Sequence, residues 1–419
     1  MKGDATTVLA TRCCIVGGGP AGMMLGYLLA RAGIEVVVLE KHGDFLRDFR
    51  GDTIHPSTLE LMHELGLLEE FLQTPHQELR SLSGLVGNAR VTLADLSHLP
   101  TRCRFIALMP QWDFLNFLAG HAKAYPNFTL RMWTEATELI TSGERIDGCR
   151  AVTGEGALEV RAELTIGADG RHSTVRAGAG LPVENLGAPM DVFWMRISRQ
   201  PSDPGEALGR IEAGRMLVTI NRGDYWQCAY LIAKGSAEQV RGRGLAFLRT
   251  SVRDLAPWLG DRVAELESWD DVKLLSVSVD RLTRWYRPGL LCIGDAAHAM
   301  SPIGGVGINL AVQDAVAAAN ILLAPLRLGS VAPHDLRAVE RRRAWPTRVT
   351  QALQLLVQNR VIAPALGAKA RPKPPLAAKL LEWIPPLRRI PGRLIGLGVR
   401  PEHISPALLT STGPGRTTH

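Results

Sequence analysis

Residues 12–40 read RCCIVGGGPAGMMLGYLLARAGIEVVVLE, and this stretch decides the fold. Its apolar start reads as a short buried strand over 12–17, halted at once by Gly17-Gly18-Gly19-Pro20-Ala21-Gly22. Apolar residues then recur through Met23, Met24, Leu25, Leu28 and Leu29 to Ala32, the pattern of a helix ended by Gly33. A second apolar run, 34–39, closes on Glu40. The result is a βαβ unit with G-x-G-x-x-G spacing at Gly17, Gly19 and Gly22 and an acid 18 positions past the last glycine. Glycines let backbone N–H groups approach a pyrophosphate, the helix start favours its charge, and Glu40 is placed to accept from ribose hydroxyls. The unit reads as an adenine-dinucleotide site and leaves NAD and FAD both open.

A second stretch works the same way. Residues 290–315, LLCIGDAAHAMSPIGGVGINLAVQDA, run from a buried strand into Gly294-Asp295, then through Pro302 and Gly304-Gly305-Val306-Gly307 into a helix expected over 310–328. Glycines there admit a ligand to the backbone, and a helix start points N–H groups at something electron-rich. Between the two, residues 158–166 alternate Leu158, Val160, Ala162, Leu164 and Ile166 with polar neighbours, a half-buried strand that stops at Gly167-Ala168-Asp169-Gly170.

Length and composition bound the remainder. With 419 residues, 46% hydrophobic and 21% charged, the chain has room for two domains with a large core. Six scattered cysteines form neither a disulfide framework nor a metal pair, which favours a reducing, cytoplasmic setting. The polar N-terminus does not read as a signal peptide, and no uninterrupted apolar run approaches the roughly 18 residues of a membrane span. Residues 321–419 carry 16 Lys/Arg against 4 Asp/Glu, while the preceding 320 carry 32 against 37. No aromatic-interleaved basic motif accompanies that tail, so nucleic acid is not an expected partner. The tail reads as solvated, with contact to anionic lipid or a partner chain as the alternative.

Other segments are quieter. Residues 47–53 form a polar loop holding Arg50, and Ser57 with Glu60 reads as a capping box for a helix running to Gly66. His55 and His63 lack a ligand-spaced partner and read as structural. Residues 80–110 read as short strands, and Gln111 opens a helix. Strands are expected over 190–197, 215–220, 225–233 and 272–279, with a hairpin turn at 221–224, as an antiparallel sheet inserted in the α/β frame. Trp194, Tyr225, Trp226 and Tyr230 lie there in a chain with 5% aromatics, suiting sheet packing or the wall of an apolar pocket. A helix over 336–361 carries Arg341-Arg342-Arg343, expected on a solvated face, and residues 362–419 read as a basic, proline-rich segment.

The three elements Gly17-x-Gly19-x-x-Gly22, Gly167-Ala168-Asp169-Gly170-Arg171-x-Ser173 and Gly294-Asp295-Ala296-Ala297-His298 stand in order. On them the chain resembles the single-component flavoprotein aromatic hydroxylases, the family of para-hydroxybenzoate hydroxylase. The resemblance implies an α/β, Rossmann-like FAD-binding domain over 1–187 and 281–361, a substrate-binding β-sheet domain over 188–280 that residues 80–110 join, and a C-terminal segment over 362–419. It implies that Gly17, Gly19, Pro20, Ala21, Gly22, Glu40 and Lys41 hold the ADP half of FAD. Arg50 and Gln111 would meet the flavin side, Asp169 and Gly170 the pyrophosphate region, and Gly294 and Asp295 the ribityl chain. Pro302, Gly304, Gly305, Gly307, Ile308 and Asn309 would surround the isoalloxazine ring, with the helix start aimed at the edge that gains charge on reduction.

The implied chemistry is reduction of FAD by NADPH or NADH, reaction with O2 to a flavin 4a-hydroperoxide, and delivery of one oxygen atom to a small organic substrate of aromatic or polycyclic type. The implied enzyme is cytoplasmic, binds no metal, and is a monomer or homodimer. Substrate residues do not align with the family's; Tyr225, Arg196, Arg222 and Gln227 are the pocket candidates beside Pro302. His298 reads as packing beside its motif. Epoxidation or Baeyer–Villiger oxygenation, a prenyl reductase, a halogenase and a non-catalytic flavin-fold binding protein are the alternatives. No two tryptophans stand two apart as the halogenase motif requires.

Overall fold

A computed structural model describes residues 7–46, 53–205 and 208–409. Its main sheet is built on Thr7–Val16, which lies parallel between Gly156–Gly167 and Val36–Leu39. Phe128–Arg131 extends the parallel order on one side and Leu290–Cys292 on the other, with Tyr286–Arg287 antiparallel at that edge. Cys13–Val16 and Val36–Leu39 are buried throughout, as strands covered on both faces must be. The helices Pro20–Arg31 and Gly307–Leu328 pack on each other against this core. The first strand begins five residues earlier than the apolar run. Residues 7–11 pair with 158–162 and include the apolar Val8 and Leu9, but their side chains are exposed or half-buried, so backbone pairing rather than burial carries the strand there.

The second sheet has seven strands in the order Lys273–Leu275, Met190–Ser198, Tyr225–Ala233, Arg215–Asn221, Leu208–Glu212, Ser81–Val86, Ala89–Asp95. It is antiparallel except where Leu208–Glu212 meets Ser81–Val86. One face carries Phe193, Met195, Ile197, Trp226, Cys228 and Tyr230 against the helix Leu245–Leu255. The other face carries Met190, Val192, Ala229 and Leu231 and packs on Val277, Ile303 and Ile362, so it looks toward the first domain. The expected strand over 272–279 shortens to Lys273–Leu275. Beyond it the Asp191 carboxylate takes the Val277 N–H at 3.0 Å, along with Gly235 N at 2.9 Å and Lys234 Nζ at 2.7 Å, so side-chain bonds replace the ladder.

Three further expectations are corrected. The capping box at Ser57 does not form: Pro56 opens the helix Pro56–Glu64, Ser57 lies inside it, and Glu60 Oε2 accepts from Arg102 N at 3.0 Å. Proline is pre-set for the first helical position and moves the cap two residues back, from Ser57 to His55. Arg343 does not lie on a solvated face; it is 1% exposed and paired with Asp314 and Glu402, and Arg342 also binds Glu402. The basic C-terminal segment folds into the helices Leu376–Trp383 and Arg389–Gly396, which pack on the edge strand Ala89–Asp95. Gly392 fits so closely that an added Cβ would stand 2.1 Å from Asp95 O.

Candidate functional site

The three sequence elements meet where the parallel strands end. Gly17 has φ +106, and a Cβ on it would stand 2.4 Å from Ala168 O, so the first turn leans on the second motif. A Cβ on Gly22 would stand 2.0 Å from Gly17 O. At Gly294 (φ +59) it would meet the Ala21 Cβ at 3.0 Å and the Ala311 Cβ at 3.3 Å, which brings the third motif against both helix starts. Gly19 differs: nothing lies within 4 Å of its Cβ position. The helices Pro20–Arg31 and Gly307–Leu328 both begin without a side-chain cap. Close-packed glycines around one open glycine, beside uncapped helix amides, form a cradle for a phosphate-bearing group. The residues present therefore fit FAD.

Several acids and amides at these turns have partners of their own. Glu40, largely buried, accepts from Gly18 N and His42 N, both at 3.0 Å, and so fixes the glycine turn; Lys41 beside it is exposed. Asp169 accepts from Ser173 Oγ at 2.5 Å and Val175 N at 3.1 Å. Burial outweighs those bonds and raises its pKa. Its carboxylate thus closes the turn at Gly170 (φ +84) onto the cap of the next helix. Asp295 stays partly exposed, with Arg171 Nη2 at 3.7 Å. Gln111 is the half-buried first residue of the helix Gln111–Ala122. Arg50 lies outside the described residues.

The loop after Pro302 is held from two sides. Gly304 and Gly305 have φ +76 and +63, and Thr53 Oγ1 donates to Gly305 O at 2.8 Å. Asn309 Oδ1 accepts from His55 N (2.8 Å) and Thr58 Oγ1 (2.7 Å), while its Nδ2 donates to Thr53 O at 3.0 Å. Asn309 thus ties the 53–58 segment to the start of the helix that holds Gly307 and Ile308. His55 is fully buried, pairs through Nδ1 with Ile395 O at 2.7 Å, and is pushed down to a pKa of about 4 by burial, so it is neutral.

From the other side come three buried glutamines of the helix Pro333–Val357 and the π turn Gln358–Ile362 that continues it. Gln351 Nε2 donates to Ala299 O (3.1 Å) and Gln354 Nε2 to Ser301 O and Ile303 O (both 2.9 Å). Gln358 Nε2 donates to Ser301 Oγ at 2.7 Å. In the sequence these glutamines are marked only by their i, i+3, i+7 spacing on one helix face.

The pocket candidates divide. Gln227 is 3% exposed, lies on the sheet face that carries Ala229 and Leu231, and accepts from Arg222 Nε at 3.0 Å. Arg196 is exposed, stacks over the Tyr225 ring at 3.9 Å and reaches Asp224 at 3.4 Å in an open recess shared with Glu265 and Lys273. Val192, which packs with Ile303, is four residues back along the strand from Arg196, about 13 Å away, and Gln227, the cross-strand partner of Arg196, stands equally far from Leu231, the partner of Val192. Met216, Val218 and Trp194 complete the inner face around Ala229 and Leu231.

Two sheets, a glycine cradle across three strand ends and a backbone loop facing an apolar sheet define an FAD-dependent oxidoreductase. A family model described as an FAD binding domain matches residues 10–352. The chain is 32% identical over 387 residues to 6-methylpretetramide 4-monooxygenase of Streptomyces rimosus, covering 92% of each. It is 25% identical to para-nitrophenol 4-monooxygenase of a Pseudomonas strain, covering 79% of this chain and 82% of that one. Among solved structures, the anhydrotetracycline hydroxylase OxyS from Streptomyces rimosus superposes with a TM-score of 0.73 at 24% identity, over 94% of this chain and 77% of that one. The chain belongs to the FAD-binding-domain family of flavoprotein monooxygenases. It uses FAD, consumes NAD(P)H and inserts one atom of O2 into an organic substrate.

Proposed function

We propose that the enzyme hydroxylates a fused-ring phenolic substrate of polyketide type, laid between the inner sheet face and the loop at Pro302–Gly305. The observation that carries this reading is the near full-length likeness to a monooxygenase named for 6-methylpretetramide. The breadth of the apolar face formed by Trp194, Met216, Val218, Ala229, Leu231 and Ile303 supports it. FAD, once reduced by NADPH or NADH, supplies the activation of dioxygen. The glycine cradle and uncapped helix starts hold the cofactor's charged groups, and Asn309 and the three glutamines fix the loop beside its ring. The apolar face excludes water and orients a flat substrate, while buried Gln227 with the half-buried Arg222 that donates to it is its polar end and takes an oxygen-bearing edge. Arg196, cross-strand from Gln227, and Tyr225 form the exposed rim of that same end. Six free, buried cysteines suit a reducing, cytoplasmic setting.

The test follows NADH and NADPH oxidation against tetracyclic phenols, single-ring phenols, alkenes and ketones, with product mass measured. The expected result is coupled turnover with a tetracyclic phenol and a gain of about 16 mass units. Coupling only with single-ring phenols, or cofactor consumption that yields peroxide throughout the panel, would overturn the reading.

A further inference from the structure

The C-terminal helices have a covered side and an uncovered one. Ala378 and Leu381 face inward on Leu376–Trp383, as do Gly392 and Gly396 on Arg389–Gly396, toward the strand Ala89–Asp95 and the residues around it. On the opposite side, Leu376 (76% exposed), Leu380, Trp383 (71%) and Ile384 stand in the open, as do Ile390 (60%) and Leu394. The i, i+4, i+7 spacing of Leu376, Leu380 and Trp383 makes them one ridge. Both helices seat on the same strand, so both ridges point away from the body.

Charge says what covers this surface. Residues 369–400 hold eight Lys/Arg against a single acid, Glu382. Arg371 pairs with Glu212, but Lys373, Lys379 and Arg393 form no ion pair among the described residues. Lys379 and Arg393, both exposed, stand in sequence next to Leu380 and Leu394 of the ridges. A second copy docked ridge to ridge would set the same positive charges against each other. Apolar ridges carrying an aromatic residue, bordered by unpaired cations, are complementary to an anionic bilayer, with the apolar side chains in the headgroup–acyl boundary.

We infer that Leu376–Trp383 and Arg389–Gly396 form a peripheral docking surface for anionic lipid membranes. The test is flotation of the full-length holoenzyme with vesicles of phosphatidylcholine alone and of phosphatidylcholine with phosphatidylglycerol, at about 0.1 M salt, where surface charge still acts over roughly 10 Å. Wild type is expected on the anionic vesicles and not on the neutral ones. Lys379→Glu with Arg393→Glu should weaken partitioning by about 25-fold or more, at about fivefold per charge. Leu380→Ser with Trp383→Ser should weaken it about tenfold or more. Flavin content and turnover on a dissolved substrate should stay at wild type in both, since these residues touch no part of the cofactor site. Failure of wild type to bind, equal binding to neutral vesicles, or unchanged binding by either double variant overturns the inference. So does a homodimer that Leu380→Ser with Trp383→Ser disperses, which would give the surface to a second copy.

Discussion

Two glycines of one turn serve different purposes, and substitution separates them. The Cβ position of Gly22 is 2.0 Å from Gly17 O, so Gly22→Ala must push the turn off its strand. The expected cost is about 1–3 kcal/mol of stability, as for other overpacked sites, together with loss of flavin. Gly19 is in extended backbone (φ −74, ψ −175) that any residue adopts, with nothing within 4 Å of its Cβ position. Gly19→Ala should therefore leave the apoprotein melting near wild type and weaken FAD binding, because the new methyl occupies space kept for the cofactor. Thermal melts of the apoproteins and flavin titrations distinguish the two. A Gly19→Ala protein that binds FAD as wild type would remove the pyrophosphate from that turn.

At the scale of elements, the outer layer of the substrate sheet depends on one acid. Asp203 accepts from Arg262 Nη2 at 2.6 Å and Nη1 at 2.7 Å, from Trp226 Nε1 at 2.8 Å and from Gln200 N at 3.0 Å. The Arg262 guanidinium above all holds its pKa at about 2, below the roughly 3.9 of an unfolded aspartate. A depressed carboxylate contributes its stability above the unfolded value and loses it as pH falls through the folded one. Wild type should therefore lose this contribution between about pH 4 and pH 2. Asp203→Asn should be less stable by about 3 kcal/mol at neutral pH and show a flatter acid limb. Parallel acid-denaturation curves for the two proteins would refute the assignment. None of this was visible beforehand, because Asp203 and Arg262 are distant in sequence and each looks like an ordinary surface charge. The βαβ unit and the strands around the 221–224 hairpin were legible because periodicity and turn residues are local. The glutamines behind the Pro302 loop were not, since a buried amide and an exposed one are the same letter. The two C-terminal helices were also missed: they are short, interrupted by prolines, and stabilised by packing rather than by their own pattern.

At the scale of the molecule, distant parts of the chain close on the carboxylates of Asp314 and Glu402. Asp314, fully buried in Gly307–Leu328, holds His298 Nε2 at 2.5 Å and Gly294 N at 3.1 Å through Oδ2, and Arg343 Nε at 2.9 Å through Oδ1. Burial pulls its pKa up, but His298 and Arg343 outweigh it and keep the group below the usual value, hence ionised. Arg343 continues to Glu402 Oε1 at 3.1 Å and Arg400 O at 3.2 Å, and Arg342 closes on Glu402 at 2.7 Å. The GD turn, both long helices and the C-terminal strap thus share one buried charge network, in which Asp314, Arg343 and Glu402 depend on one another for their partners. Glu402→Ala would leave Arg343 buried with part of its charge uncompensated, a change that costs about 3–5 kcal/mol in comparable pairs. Because Asp314 also fixes Gly294 N, the loss should reach the cofactor: flavin affinity should fall together with Tm, and saturating FAD should recover part of the Tm by mass action. Glu402→Gln keeps the shape and part of the hydrogen bonding, so it should fall between the two. If Glu402→Ala melts and binds flavin as wild type does, the strap is a passive covering. If Tm falls while flavin affinity holds, the network stabilises the helices without reaching the GD turn.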